Sequence, residues 1–161
     1  MKRAISLTVV CAAILFLLCS CVGKTYESAT SADGVVEKTV DNSVYGEKLL
    51  LEIDGKRLDV SWEDNASVAA LRRLAENGLS VSMHKYGGFE QVGPLGSTIV
   101  SDDEEITPVA GDIVLYASDH IVLFYGTNTW SYTKLGHIEL SRSELIDLLG
   151  GRDVTVLLST E

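Results

Sequence analysis

The stretch GDIVLYASDHIVLFYG, residues 111–126, is the most apolar part of the domain and decides its fold. Within it, residues 112–116 and 121–125 are almost continuous apolar runs, separated by Ala-Ser-Asp-His. Short unbroken apolar runs between turn residues are typical of strands that are buried on both faces. The stretch therefore predicts a hairpin at the centre of the core. Asp112, after Gly111 at the start of the first run, is expected to fix a turn rather than to catalyse.

A second hairpin is predicted near the start of the domain. Residues 49–53 and 56–62 flank an Asp54-Gly55 pair, which is a strong short-range hairpin signal. Apolar and polar side chains alternate in the second arm, so that one of its faces carries Leu58, Val60 and Trp62. This pattern indicates a strand with one face in the core.

Capping residues predict two short helices. Asp and Asn at residues 64–65 supply an N-cap, and Gly78 follows the last apolar residue with helical spacing. Ser141 and Glu144 form a capping box, and the glycines at residues 150–151 end the second helix. Each helix should present one apolar stripe to the core.

The remaining segments complete the fold class. Residues 79–83, 130–133 and 153–159 have the alternation of strands, whereas residues 86–96, YGGFEQVGPLG, have neither helical nor strand period and are expected to form a loop. Seven or eight short strands with two short helices predict a mainly β fold. It would be a small closed barrel or a sandwich, with the helices covering open ends.

The N-terminal residues carry a lipoprotein signal. Lys2 and Arg3 precede an apolar stretch over residues 4–18, shorter than the roughly 20 residues that span a bilayer core. Leu-Cys-Ser-Cys follows and resembles the bacterial lipobox, which makes Cys21 the predicted lipid attachment site. Cys19 is a poor alternative, because bulky leucines precede it. The other interpretation is an ordinary secretory signal whose cysteines are incidental.

Cleavage before Cys21 would divide the chain into three parts. Residues 1–20 would be the signal peptide, residues 21–47 a lipidated N-terminus and flexible tether, and residues 48–161 one domain. We expect the protein to be exported to the bacterial cell envelope and anchored to a membrane through its N-terminal lipid.

Charge and residue types exclude several classes of function. Loss of the two basic residues of the signal leaves 11 basic and 23 acidic residues, a formal net charge of −12, which argues against nucleic acid as a partner. A single lipidated cysteine excludes disulfides and thiol catalysis. His84, His120 and His137 have no paired ligand spacing, and the acidic run at residues 102–105 lacks the pattern of a calcium loop, so that a solvated loop is expected there. We therefore expect neither a metal nor a cofactor.

Five segments of the domain are distinctive: VSWEDNASVAAL, YGGFEQVG, GDIVLYASDHIVLFYG, WSYTKLGHI and DVTVLL, at residues 60–71, 86–93, 111–126, 130–138 and 153–158. They carry a resemblance to the bacterial cyclophilin-like domain family, which extends from residue 49 to residue 159. It implies a fold similar to that of cyclophilins. The expected structure is thus a mainly β, small closed eight-stranded barrel with two short capping helices.

The resemblance also implies a candidate site in HKYGGFEQVG, residues 84–93. Cyclophilins isomerise X-Pro bonds with an arginine near the prolyl nitrogen, beside an apolar pocket with Phe and a Gln. Here His84-Lys85, Phe89 and Gln91 stand where a cyclophilin has His-Arg, Phe and Gln, with each gap one residue shorter. Lys85 lacks the planar fork of arginine, which favours a binding module over an isomerase.

A binding module would use aromatic and polar side chains in a shallow pocket, which a ligand could enter close to the glycine-rich backbone. The candidate ligand-binding residues are His84, Lys85, Tyr86, Phe89, Glu90, Gln91, Trp130 and Tyr132. In the alternative interpretation, Phe89, Trp130 and Tyr132 are ordinary core residues. Lys85 and Glu90 would then form a solvated pair.

Two functions remain open. The first is a membrane-anchored lipoprotein whose cyclophilin-like domain binds a peptide, a small molecule or another envelope protein without isomerase activity. The alternative is a peptidyl-prolyl cis-trans isomerase of the cell envelope, so that enzymatic activity itself stays open. The missing arginine favours the first.

Overall fold

Ten strands and two helices make up residues 47–161, the part of the chain that the computed structural model describes. In chain order they are β1 (Leu49–Ile53), β2 (Lys56–Leu58), β3 (Val60–Trp62), α1 (Ala66–Ala75), β4 (Leu79–Tyr86), β5 (Glu90–Pro94), β6 (Glu104–Ile106), β7 (Asp112–Tyr116), β8 (His120–Phe124), β9 (Trp130–Ile138), α2 (Arg142–Leu149) and β10 (Val154–Thr160). The predicted signal peptide, Cys21 and the predicted tether through residue 46 lie outside the described residues.

The strands form an antiparallel barrel in the order β2-β1-β10-β4-β5-β8-β7-β9-β3, with β6 added to β9. β2 and β3 are two halves of one strand that is interrupted at Asp59, whose carbonyl accepts a hydrogen bond from the N–H of Glu139 at 3.0 Å. The first half pairs with β1 and the second with β9, so the sheet returns on itself. Counted as one strand, they give eight strands around the barrel, and the predicted fold class is confirmed.

β7 and β8 form the predicted central hairpin, within one residue of its predicted ends. Ile113 and Leu123 face each other across the hairpin and are fully buried in the barrel interior. The opposite side of the hairpin is buried as well, in a smaller apolar cluster formed by Val114, Val122, Phe124 and Tyr132. Both faces are therefore covered, as the unbroken apolar sequence predicts.

The predicted Asp54-Gly55 turn closes the first hairpin with φ angles of 49° and 79°, as a type I′ turn requires. Asp54 also ties this turn to β10, because its Oδ1 accepts a hydrogen bond from the N–H of Thr155 at 2.9 Å and its Oδ2 pairs with Arg152. The hydrogen bond from Thr155 and the one from Arg152 hold the pKa of Asp54 below its usual value. The hairpin is thus joined to β10 by side chains as well as by the strand ladder.

Both helices begin at the predicted caps and pack apolar side chains into the barrel interior. Asn65 Oδ1 accepts a hydrogen bond from an N–H of the first turn of α1 at 2.9 Å. Ser141 and Glu144 form the predicted capping box before α2. Leu71 of α1 and Leu145 of α2 are fully buried in the interior cluster.

The prediction of a loop over residues 86–96 is wrong for residues 90–94, which form β5 and pair with both β4 and β8. The sequence of β5 lacks the apolar alternation of a strand because its inward-facing positions are Gln91 and Gly93. Gln91 Nε2 donates hydrogen bonds to two backbone carbonyls at and beyond the end of α2, at 2.7 Å each. A Cβ atom at Gly93 would lie 2.5 Å from Met83 Sδ. Packing and a buried polar contact therefore replace the usual apolar alternation here.

Candidate functional site

A groove of about 600 Å³ lies on the outer side of the barrel, next to the smaller apolar cluster. Strands β4, β5, β7, β8 and β9 each contribute a side chain to it. We call it the outer-face groove, and its aromatic walls are Tyr86, Phe89, Tyr116, Trp130 and Tyr132. A concave aromatic surface of this kind is typical of ligand sites.

Contacting rings fix the inner wall of the outer-face groove. Phe89 is nearly parallel to Phe124, with ring centroids 6.4 Å apart, and Tyr132 meets Phe124 edge-on at 5.7 Å. Tyr116 meets Tyr132 edge-on at 6.0 Å. Offset and edge-on pairs are the favoured geometries of aromatic contacts, so each ring holds its neighbour in one orientation. The wall is therefore preorganised.

Two further aromatic side chains of the groove are open to solvent. Tyr86 is 67 % exposed and Trp130 is 58 % exposed. Large apolar rings that stand together in a concave surface indicate an interaction site, whereas single scattered ones do not. The prediction that Trp130 is an ordinary core residue is therefore wrong, while Tyr132 belongs both to the apolar cluster and to the groove.

The glycine-rich turn between β4 and β5 positions Phe89. Gly87 has a φ angle of 60°, and a Cβ atom there would collide with the Phe89 ring. The carbonyl of Phe89 accepts hydrogen bonds from the N–H groups of Tyr125 and Gly126, both at 2.9 Å. The turn and the end of β8 thus set the place of this ring in the wall.

Glu90 brings a carboxyl group into the outer-face groove. Its neighbours in the strand register are Tyr86 on β4 and Phe124 on β8. The side chain is buried, with 5 % of the residue exposed, and no residue within 47–161 donates a hydrogen bond to its Oε2. Burial raises the pKa of this carboxyl to about 7. The ionised and neutral forms are therefore both populated near neutral pH.

The phenol groups near Glu90 stay neutral over the same range. Burial raises the pKa of Tyr125 and of Tyr132, and the negative charge of Glu90 raises both further. The hydroxyl of Tyr132 accepts a hydrogen bond from Asn128 Nδ2 at 3.1 Å, which partly offsets that increase. Glu90 is therefore the group in this wall that titrates near pH 7.

The structure brings five of the eight predicted site residues together in the outer-face groove: Tyr86, Phe89, Glu90, Trp130 and Tyr132. The other three lie elsewhere. Gln91 points into the barrel, where it binds the end of α2. The solvated pair of Lys85 and Glu90 is a wrong prediction, because Glu90 is buried.

His84 and Lys85 are engaged with Asp153 rather than with the groove. His84 Nδ1 lies 2.9 Å from one carboxylate oxygen of Asp153, and the N–H of Lys85 donates a hydrogen bond to the other at 3.0 Å. The hydrogen bond from Lys85, followed by that from His84, lowers the pKa of Asp153. Lys85 lines a second, neighbouring cavity of about 900 Å³ beside α2, and Phe89 lines both this cavity and the groove.

Sequence reasoning missed Tyr116, Val122 and Asn128, which also line the groove. Tyr116 and Val122 lie in the two apolar runs of the central hairpin, where alternate positions face opposite sides of the sheet. That alternation predicts that both residues lie on the same face of the sheet, but it does not show that this face is the outer one. Asn128 lies between β8 and β9, and nothing in the local sequence marks it.

Two acidic segments that the sequence singled out, residues 102–105 and Asp112, have structural roles outside the groove. The predicted acidic loop is wrong at residues 104–105, which belong to β6 and pair with β9. Asp112 accepts a hydrogen bond from the N–H of Val109 at 2.9 Å, as expected for a residue that fixes a turn, and lies 2.9 Å from His137 Nδ1. Within the described chain, no group of three or more His, Cys, Asp or Glu side chains could hold a metal ion.

Among residues 47–161 there is also no helix with the length and apolar character that crossing a membrane would need.

An eight-stranded antiparallel barrel, with two helices that pack apolar side chains into its interior, is a cyclophilin-like fold. The model of the Cyclophilin-like family matches residues 51–159, and the chain belongs to that family. The resemblance found in the sequence is thereby confirmed. No curated protein matches the chain.

Two solved structures share the fold. McbB, in complex with tryptophan, is 14 % identical with a TM-score of 0.52; the match covers 71 % of this chain and 45 % of McbB. This chain therefore spans less than half the length of McbB. The hypothetical protein AF2241 from Archaeoglobus fulgidus, solved in solution, is 13 % identical with a TM-score of 0.51, over 72 % of this chain and 96 % of that protein. At these identities the likeness concerns the fold alone.

Proposed function

We propose that this chain is an exported, membrane-anchored binding protein that captures a small molecule or a short peptide in the outer-face groove. The observation that carries the proposal is the combination of a preorganised aromatic wall with two solvent-exposed rings, Tyr86 and Trp130, around one cavity. Its volume of about 600 Å³ lies within the range of small-molecule sites.

The proposed protein binds without isomerising prolyl bonds. Catalysis of that reaction in the cyclophilin manner needs a placed donor in a dry pocket, against a barrier of about 20 kcal/mol. Among the described residues that line the groove, none is an arginine or a lysine. Lys85 lines the other cavity and Gln91 is buried in the barrel, so both counterparts of the cyclophilin residues are directed away from the groove.

Export and lipid anchoring are the second part of the proposal. They are supported by the basic residues Lys2 and Arg3, the apolar stretch that follows and the lipobox-like sequence before Cys21. A lipid at Cys21 would hold the acidic domain at the membrane surface. The domain could then bind ligands from the surrounding solution in its aromatic groove.

The test is a ligand screen on the full mature chain in detergent, with thermal shift for detection and calorimetry for affinity. The set contains aromatic and aliphatic small molecules and short peptides, and it includes tryptophan because McbB was solved with it. Trp130→Ala should weaken binding of the hits about tenfold or more, because a buried aromatic contact is worth at least that much. Leu157→Ala, on β10, is the matched control and should bind normally.

The proposal fails if no hit depends on Trp130, or if Trp130→Ala lowers the melting temperature as much as a core substitution does. The first outcome would place the ligands elsewhere. The second would show that Trp130 is a structural residue despite its exposure.

A further inference from the structure

We infer that the ligand of the outer-face groove carries a protonated nitrogen, which donates a hydrogen bond to the carboxylate of Glu90 while an attached apolar group lies against the aromatic rings. This inference rests on the proposed function and names its ligand class. The ligand would be an organic ammonium compound with N–H donors, of the size of an aromatic amine.

The Glu90 carboxyl group is unfavourably placed in the free protein. A buried carboxylate is normally paired or hydrogen-bonded, because leaving it without a partner costs free energy. Within the described residues no donor reaches Glu90 Oε2, although the side chain is almost fully buried. Val92, two residues along the same strand, lines the same groove with an apolar side chain, so a position in this wall does not by itself require a carboxyl group. A group that destabilises the free protein and lines a ligand groove is best explained by a bound partner.

The wall around Glu90 is aromatic. Tyr86 and Phe124 flank Glu90 in the strand register, and Phe89 and Tyr132 contact Phe124. The faces of aromatic rings carry negative potential and attract organic cations. A carboxylate in an aromatic wall therefore favours an ammonium group over a neutral hydroxyl.

Anionic and neutral ligands fit the groove less well than a cation. The described lining of the groove contains no lysine, arginine or histidine, so an anionic ligand would meet Glu90 without any compensating positive charge. The whole chain carries a formal charge of −10, which would also repel it. A neutral ligand could donate a hydrogen bond to the carboxylate but would bring no positive charge to balance it, so its hydrogen bond would be weaker.

The experiment compares tryptamine with tryptophol, which have the same indole ring and nearly the same shape but differ in an ammonium against a hydroxyl group. Calorimetry on the full mature chain should show about 10- to 100-fold tighter binding of tryptamine, the usual worth of a hydrogen bond to a charged group. Glu90→Gln, which keeps the shape of the side chain, should remove that preference. Glu76→Gln, an exposed carboxylate at the end of α1, should preserve it.

Equal binding of the two compounds, or a preference that survives Glu90→Gln, would overturn the inference. If that binding still depends on Trp130, the proposed function survives, so the two failures can be told apart. If tryptamine, tyramine and phenethylamine all fail to bind while neutral or acidic molecules from the screen do, the inference is overturned as well. If nothing binds, both proposals fall.

The pH dependence supplies a second test, because only ionised Glu90 can accept the ammonium group. With a pKa of about 7 in the free protein, the dissociation constant of tryptamine should fall about tenfold per pH unit between pH 5 and 6.5 and level off above pH 7.5. The amine stays protonated over this range, as lysine does. A flat profile, or tighter binding at acidic pH, would contradict the inference.

Other titratable and charged groups lie around Glu90, so control substitutions must separate their effects from that of Glu90. Phenol groups stand on β4, β7, the end of β8 and β9, at Tyr86, Tyr116, Tyr125 and Tyr132. Burial raises the pKa of Tyr125 and of Tyr132. The charged groups beyond the groove include His84 with Asp153, His120 with Asp119, Lys134 and His137 with Asp112, and Glu104 and Glu105 on β6, which pairs with β9. His84→Gln and His120→Gln, at residues that do not line the groove, should keep the pH profile, whereas Glu90→Gln should flatten it.

Discussion

Gly126 lies directly against Phe89: a Cβ atom at Gly126 would come within 2.5 Å of the Phe89 Cβ. The backbone of the segment after β8 thus serves as the support on which the groove wall rests. The geometry makes the position of an aromatic ring depend on a residue that does not itself present a side chain to a ligand.

Gly126→Ala should therefore distort the groove, although residue 126 does not line it. We expect Phe89 to be displaced, with a loss of about 1 to 3 kcal/mol in the free energy of unfolding, as is usual for overpacking, and weaker ligand binding. Denaturant titration and calorimetry measure the two effects. Gly151→Ala is the control, because no atom lies within 4 Å of the added Cβ atom. Unchanged stability of Gly126→Ala would mean that the contact is readily relieved.

Glu90 should make the domain less stable as the pH rises. Its pKa of about 7 in the folded protein exceeds the value of 4.5 expected for the unfolded chain. The stabilisation by the neutral form is complete below pH 4.5 and is lost as the pH rises through 7. The full effect is on the order of 3 kcal/mol.

Glu90→Gln keeps a neutral side chain at every pH, so it should melt higher than the wild type at pH 8 and nearly level with it at pH 4.5. Thermal unfolding of both proteins across this range measures the difference. Equal melting temperatures at pH 8 would show that the Glu90 carboxylate is better solvated than its burial indicates.

The protein should not accelerate X-Pro isomerisation in a peptide assay. The groove lacks a positively charged donor among its described residues, and Lys85→Arg should create no activity, because that side chain lines the other cavity. An isomerisation rate that the wild type raises and Lys85→Ala restores to the uncatalysed value would overturn the binding interpretation in favour of the isomerase.

Cys21→Ser should abolish acylation and release the protein from membranes. Mass spectrometry of the N-terminal peptide from the producing bacterium, together with membrane fractionation, decides this. Cys19→Ser is the matched control and should leave the lipid in place, because residue 19 would leave with the signal peptide. An unmodified N-terminus, or a mature protein that retains residues 1–20, would contradict the lipoprotein prediction.

Local signals made the hairpins and helices predictable. The turn at Asp54-Gly55 and the caps at Asn65 and Ser141 use side chains whose partners lie within a few residues. β5 was not predictable in this way, since Gln91 donates hydrogen bonds to carbonyls at and beyond the end of α2, 58 and 61 residues away in sequence.

The groove was only partly predictable, for a different reason. Phe89, Glu90 and Trp130 stand out in the sequence as aromatic or charged residues near glycines. Tyr116, by contrast, ends one of the apolar runs, and alternation alone does not say which side of a strand faces the interior of a barrel. Its place on the outer face is decided by how the whole sheet closes.

The position of β10 between β1 and β4 has a consequence for how the chain folds. The contact from Asp54 to the N–H of Thr155 joins residues 101 positions apart, and the ladder beside it spans a similar separation. Such long-range pairings form slowly, because the loop between them must close first. Until residues 154–160 arrive, β1 and β4 each expose an unpaired edge to neighbouring chains. Substitutions that delay this last pairing should therefore lower the yield of folded protein by aggregation, even where they leave the finished barrel as stable as before.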